Sequence, residues 1–251
     1  MNESLGEKRE MFRSGGPAVE EEKRKFVSKL GLRLLRDINR ASVVGATSVS
    51  ATVLLGADGD ACRDELFVER ARAVVSYLRR RHIRLTASLE RNDAGEFRES
   101  LAFLESGGLV KRMAGMGGDV VYVPAEKRLA LDFYKNNAIH YFLLAALLVD
   151  AIRRGKSGKA ANRDVEWWLD LLRWEFPLPD RRAVSRELAD LREVLRAEGL
   201  LGAAGDELVA GHPLLPTVQT VLDPFREAYW VVARVLEDLP AAGLGRKAVL
   251  D

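Results

Sequence analysis

Apolar residues recur at helical spacing along most of this chain, and the places where that spacing fails are where function has to be sought. Residues 20–40 open with acids and carry Val27, Leu30, Leu34 and Ile38 on one face, the pattern of an amphipathic helix whose acidic end suits its dipole. Ser14-Gly15-Gly16-Pro17 breaks any helix before it, so residues 1–19 are expected to be a disordered lead-in. Residues 41–55, small and β-branched around Gly45, are expected to form a second helix from near Thr47, with a buried strand as the alternative. Residues 61–82 give a clearer helix, with Leu66, Val74, Val75 and Leu78 apolar and Arg79-Arg80-Arg81-His82 at the end where cations complement the dipole. Ile83, Leu85, Ala87 and Leu89 then alternate with polar residues, the period of a half-buried strand or extended arm.

A phrase of helix, glycine and hairpin follows. A short helix through Leu101 and Leu104 meets Gly107-Gly108, then residues 109–113 and 119–123 flank a glycine-rich turn. The phrase recurs at 182–209, and aligning Gly108 with Gly199 sets Leu104 opposite Leu195 and Leu109 opposite Leu200. The expected fold is mainly α with small β-hairpins, a helical domain containing two winged-helix-like units of helix plus wing. The expected organisation is the lead-in at 1–19, a helical region at 20–152 with the first such unit, an exposed linker at 153–160 (RRGKSGKA), and a second unit with a closing helix at 161–251.

The most informative stretch is 131–149, LDFYKNNAIHYFLLAALLV, expected as one helix. Two asparagines and a histidine interrupt it, and a buried amide without partners costs about 1 to 3 kcal/mol. On one helix Asp132, Asn136 and His140 share a face and Phe133, Asn137 and Tyr141 the next, which predicts an inward polar stripe. Asp132 and His140 would stand about 12 Å apart along the axis, too far for a dyad but bridgeable through Asn136. A buried hydrogen-bond network holding helices in register is the competing reading.

Composition narrows the function classes. The chain has 251 residues, enough for a real core, and 39 basic against 37 acidic side chains leave no global field that would mark a nucleic-acid binder. Residues 180–198 hold five arginines and five acids, whereas a recognition helix facing phosphates should be net positive. The run Arg79 to Arg84 is the one DNA-like or lipid-like patch, and a solvated helix end explains it as well. A single cysteine and three scattered histidines give no zinc spacing, so neither a metal nor a cofactor is expected. The apolar runs at 48–55 and 138–149 fall short of the roughly 20 residues a spanning helix needs, and the N-terminus lacks an apolar signal core. Cytoplasmic placement is expected, with peripheral attachment to an anionic inner membrane surface allowed by the basic and amphipathic faces.

Catalytic signatures are missing as well. There is no G-x-S-x-G, Walker loop, dinucleotide fingerprint or H-E-x-x-H. Five residues beyond His82, His140 and His212 stand Ala87, Ala145 and Thr217, so no H-x-x-x-x-D exists.

LGLRLLRDINRASVV, LALDFYKNNAIHYF and LDPFREAYWVV, in that order, resemble the C-terminal region of bacterial and mitochondrial-type glycerol-3-phosphate 1-acyltransferases, over residues 20–239. The chain departs at Gly45-Ala46, where a Thr-Pro-like pair is expected. In that family the H-x-x-x-x-D base and the arginines that hold glycerol phosphate lie upstream of the region resembled, so no catalytic residue carries over. The resemblance implies a noncatalytic domain, as fragment or split subunit, supporting acyl transfer from acyl-CoA or acyl carrier protein to glycerol 3-phosphate in phospholipid synthesis. Its expected partner is an acyltransferase catalytic domain in cis or in trans. The residues expected to bind or dock are Asn39, Arg40, Asp132, Lys135, Asn136, Asn137, His140 and Tyr229. A freestanding lipid-surface or regulatory interaction module is the alternative, with a winged-helix nucleic-acid binder third. Trp167, Trp168 and Trp174 read as core or interface residues.

Overall fold

The computed structural model describes residues 17–57, 61–91, 94–115, 118–173, 175–176, 178 and 181–237. Packing divides the chain into two units, Met1–Ser42 with Leu172–Pro179 and Val43–Leu171 with Asp180–Asp251. The first contains helix α1, Pro17–Ala41. Proline at a helix start is favourable because its missing N–H would have no partner there and its φ is already helical. Residues 17–19 are therefore helical rather than part of a lead-in, and residues 1–16 lie outside the described residues. The stripe Val27, Leu30, Leu34, Leu35 and Ile38 is exposed along α1.

The second unit is built around two helices that are apolar on every side. Gly45 is the N-cap of α2, Ala46–Leu55, and its carbonyl accepts the Val49 N–H at 3.2 Å, which settles the helix-or-strand alternative. Residues 48–55 are all buried, and α2 packs against α3 (Asp64–Arg80), α5 (Ala94–Ser106) and α6 (Arg128–Asn136). Ser50 Oγ meets Ser100 Oγ at 2.9 Å, so the hydroxyls that enter this core satisfy each other. The second apolar helix, α7 (Ile139–Arg153), buries residues 142–149 and packs against α9 (Arg181–Glu198) and α10 (Leu215–Thr220). An all-apolar helix this short is a core helix, and no helix among the described residues is long and apolar enough to cross a membrane. The end of α2 also approaches α10: a Cβ on Gly56 would stand 3.0 Å from Thr217 Cα and 3.1 Å from Thr220 Oγ1.

One small antiparallel sheet completes the unit, with strand order β1 (Ala61–Arg63), β3 (Val120–Tyr122), β2 (Lys111–Met113). Ala61 pairs with Tyr122 and Arg63 with Val120, while Lys111 pairs with Tyr122 and Met113 with Val120. The expected helix at 61–82 thus begins three residues late, because Ala61, Cys62 and Arg63 are taken by the sheet. The alternation at 83–89 does not form a strand. Leu85 makes a single parallel bridge with Val44, and α4 (Ala87–Arg91) starts at once, with Thr86 O accepting the Glu90 N–H at 3.0 Å. Four alternating pairs are too few to decide between extended and helical backbone when a neighbouring chain offers only one bridge.

The repeated helix-glycine phrase is real at the level of backbone bonds. After α5, Gly108 (φ 66°) donates to Glu105 O at 2.9 Å and Leu109 to Leu104 O at 2.9 Å; after α9, Gly199 (φ 82°) donates to Arg196 O and Leu200 to Leu195 O, also at 2.9 Å. Both are Schellman caps, which need a left-handed residue and therefore favour glycine. The wings differ: the first is the β2–β3 hairpin, and the second is reduced to one bridge, Leu201 with Leu208. Helices α8 (Gly158–Leu172) and α11 (Asp223–Glu237) complete the fold, and residues 154–157 form the turn between α7 and α8.

Candidate functional site

The segment expected to be one helix over 131–149 is two. Helix α6 ends at Asn136, Asn137 and Ala138 form a turn, and α7 begins at Ile139. At the break Ala138 donates to Lys135 O at 2.9 Å and Tyr141 to Ala138 O at 3.1 Å, so the i to i+4 ladder gives way to two tighter i to i+3 bonds. The asparagines cause this locally, since both are poor helix formers whose side chains compete for backbone partners.

The break also overturns the inward stripe. Asn136 and Asn137 are exposed, and Phe133 beside them is 69% exposed. What turns inward from α6 is Leu131 and, four residues on, Lys135, which is 3% exposed. The Lys135 ammonium lies 2.5 Å from Asp132 Oδ1, an ionic contact whose angle falls outside hydrogen-bond geometry. A lysine so deeply placed requires such a counter-charge, because an unpaired ammonium in apolar surroundings would lose its proton or leave. With Asn136 outside, no relay joins Asp132 to His140.

His140 starts α7, half-buried against the Tyr141 ring at 3.8 Å between centroids, and its Nε2 is buried without a hydrogen-bond partner among the described residues. Burial lowers its pKa to about 4, so the ring is neutral at ordinary pH. The next residue ties the break to α3: Tyr77, fully buried, donates its hydroxyl to Tyr141 O at 3.0 Å and stacks on Phe142 at 5.4 Å. Burial pushes the Tyr77 phenol up to about 12. Tyr77 escaped the sequence reading because a tyrosine on an amphipathic helix gives no sign of the carbonyl it will meet.

The remaining expected residues lie elsewhere. Asn39 and Arg40 are in the last turn of α1, in the other unit, and their side chains lie outside the described residues. Tyr229, half-buried on α11, donates its hydroxyl to Leu171 O at 3.2 Å. The motif that carries Tyr229 holds a stronger anchor that was overlooked: Arg226 reaches Asp223 Oδ1 at 3.2 Å, Gln219 O at 3.3 Å and Asp150 Oδ2 at 3.7 Å. Desolvation raises the Asp223 pKa, against the pull of Arg226. Trp167 is 60% exposed and meets Trp168 edge-on at 5.1 Å, while Trp174 lies outside the described residues.

None of the three histidines is set as a general base. His212 accepts the Leu214 N–H on Nδ1 at 3.2 Å and therefore donates from Nε2 to Glu198 O at 2.9 Å, so both ring nitrogens bind backbone. His82 is exposed at a helix end in left-handed backbone, φ 53°. Among the described residues no carboxylate contacts any of the three rings, and no group of acidic, histidine or cysteine side chains could hold a metal ion. The arrangement can anchor helices and present amides to a partner; it has no proton-transfer pair.

Comparison with known proteins agrees with that division. Residues 1–251 match a family described as the glycerol-3-phosphate acyltransferase C-terminal region. Proteins from Mycobacterium bovis and from two strains of Mycobacterium tuberculosis, each named "Putative acyltransferase plsB1", are 28% identical over 225 residues. The match takes in 82% of this chain and 35% of each relative, so the chain spans about a third of their length.

Proposed function

The chain belongs to the glycerol-3-phosphate acyltransferase C-terminal region family, and from that premise we propose that it is a noncatalytic domain, as fragment or split subunit, that supports an acyltransferase region carried in cis or in trans. The reaction served is acyl transfer from acyl-CoA or acyl carrier protein to glycerol 3-phosphate in phospholipid synthesis, on the cytoplasmic side of the inner membrane. The observation that carries this reading is the absence of a base among the three histidines: two ring nitrogens of His212 are consumed by backbone, and His140 is neutral with no acid beside it. The Asn136-Asn137 turn is the docking patch, with its amides outward, Phe133 next to them, and the buried Lys135–Asp132 pair and Tyr77 holding it rigid beneath.

The test is thiol release from acyl-CoA by the purified chain with and without glycerol 3-phosphate. The expected result is no acceptor-dependent turnover, together with retention of a separately expressed acyltransferase region on the immobilised chain. Acceptor-dependent turnover that disappears in His140→Ala would overturn the proposal.

A second reading has one observation in its favour. Helix α11 buries no residue and exposes Trp230, Val231, Val232, Val235 and Leu236. Such a face suits a lipid headgroup layer, and it predicts flotation with anionic vesicles that Trp230→Glu abolishes.

A further inference from the structure

A groove of about 490 Å³ lies between β1 and the first turns of α3, walled by Arg63, Glu65, Leu66, Glu69, Arg70 and Val120. A second hollow of about 150 Å³ shares Leu66, Glu69 and Arg70 and continues to the loop at His212 and Pro213. Leu66, 37% exposed, is the apolar residue common to both. Arg63, Glu65, Glu69 and Arg70 form no side-chain hydrogen bond or ion pair among the described residues. Nearby charges are otherwise matched: Arg112 alone meets Asp64 at 2.8 Å, Glu105 at 3.6 Å and Asp119 at 3.7 Å.

The backbone beside this groove is also unpaired. β1 is an edge strand of the sheet. Asp64 donates to Asp119 O at 3.2 Å, in register with the β1–β3 ladder, so by alternation Cys62 faces β3 while the N–H and C=O of Ala61 and the N–H of Arg63 point away from it. An open edge beside unmatched charges is the arrangement that strand addition uses, with main-chain bonds supplying attachment and flanking side chains supplying selection.

We propose that this groove takes an extended segment of the acyltransferase-bearing polypeptide as a fourth strand on β1. The proposal rests on the function proposed above and adds a contact separate from the Asn136-Asn137 turn. The occupant carries an acidic side chain toward Arg63 and Arg70 and a basic one toward Glu65 and Glu69, with an apolar residue over Leu66. Three outward backbone groups are too few to hold a free peptide, but they suffice for a segment delivered at high effective concentration by a larger docked region. The curated relatives carry about two thirds of their length outside the matched part, joined to it in one chain.

Two substitutions isolate the contact. Arg63 has φ −68°, which proline adopts without strain, and its N–H faces away from the ladder, so Arg63→Pro deletes the edge donor while leaving the sheet intact. Arg63→Ala removes the same side chain and keeps the donor. The probe is the part of the Mycobacterium tuberculosis relative outside the match, expressed as its own chain, with binding measured by titration and amide exchange followed at Ala61 and Arg63. The expected result is binding by the unsubstituted chain that slows exchange at both amides. Binding should be weaker by about fivefold in Arg63→Pro than in Arg63→Ala and by about tenfold in Arg70→Glu, with thermal unfolding unchanged. Binding that all variants retain overturns the groove and leaves the proposed function standing; no binding by the unsubstituted chain overturns both.

Discussion

His140 and Lys135 sit five residues apart and answer burial in opposite ways. The histidine gives up its charge and the lysine keeps it by holding Asp132. Because the folded pKa of His140, about 4, lies below its unfolded value, the stability this group permits is complete above the unfolded pKa and is lost as pH falls through the folded one. Chemical denaturation should therefore show a loss of about 1 to 2 kcal/mol between about pH 7 and about pH 5, reduced from the full linkage value by partial hydration of the ring. His140→Gln should lack that portion of the loss; an unchanged acid limb would mean the ring is charged in the fold. For the lysine, Asp132→Asn strands a buried ammonium and should cost about 3 kcal/mol in urea denaturation, and Lys135→Met in the same background should recover most of it. The chemistry of these residues was visible in YKNNAIH, but their directions were not. A single unbroken helix would have turned the asparagines inward, and two residues of turn put them outside.

Helix ends carry more of the order here than helix middles. Schellman bonds close α5 and α9 at Gly108 and Gly199, and the same pair of bonds closes α3 with His82 in the glycine position, where His82 donates to Arg79 O at 2.8 Å and Ile83 to Leu78 O at 3.0 Å. A fourth cap ends α7 at Gly155, φ 77°. His82 is exposed and pays the left-handed penalty that glycine avoids, so His82→Gly should raise stability by about 1 kcal/mol in thermal unfolding. The glycine caps could be read from sequence because glycine after a leucine-spaced helix has a local cause. The cap at His82 could not, since nothing local distinguishes it from the arginines before it. The same limit applies to 83–89, where alternation suggested a strand and Thr86 instead opens α4.

Across the second unit, ion pairs between distant positions join elements that apolar packing has already brought close. Arg80 and Ser76 on α3 hold the Glu198 carboxylate at the end of α9, with Ser76 Oγ donating at 2.9 Å. Arg192 on α9 grips Asp206 at 2.8 and 3.0 Å, and the same carboxylate accepts the Gly158 N–H at the start of α8 at 2.8 Å. The Arg192 hydrogen bond is the main cause that lowers the Asp206 pKa. Glu198 is 6% exposed while Arg80 is about half exposed, so the arginine can rehydrate when its partner is lost. Glu198→Gln should then cost about 1 kcal/mol and lower the melting temperature by about 2 to 4 °C, much less than loss of a fully buried pair.

By itself the sequence determined what depends on neighbours a few residues away: the helical periods, the glycine caps, the want of a histidine base with an acid at the right spacing, and the phrases that place the chain in its family. Only the tertiary structure decided which face of each period turned inward. Burial is set by what approaches from far along the chain, as α2 and Tyr77 do for the 128–142 segment and β3 for residues 61–63. That is why Lys135 proved to be interior, Asn136 and Asn137 exterior, and the edge of β1 open.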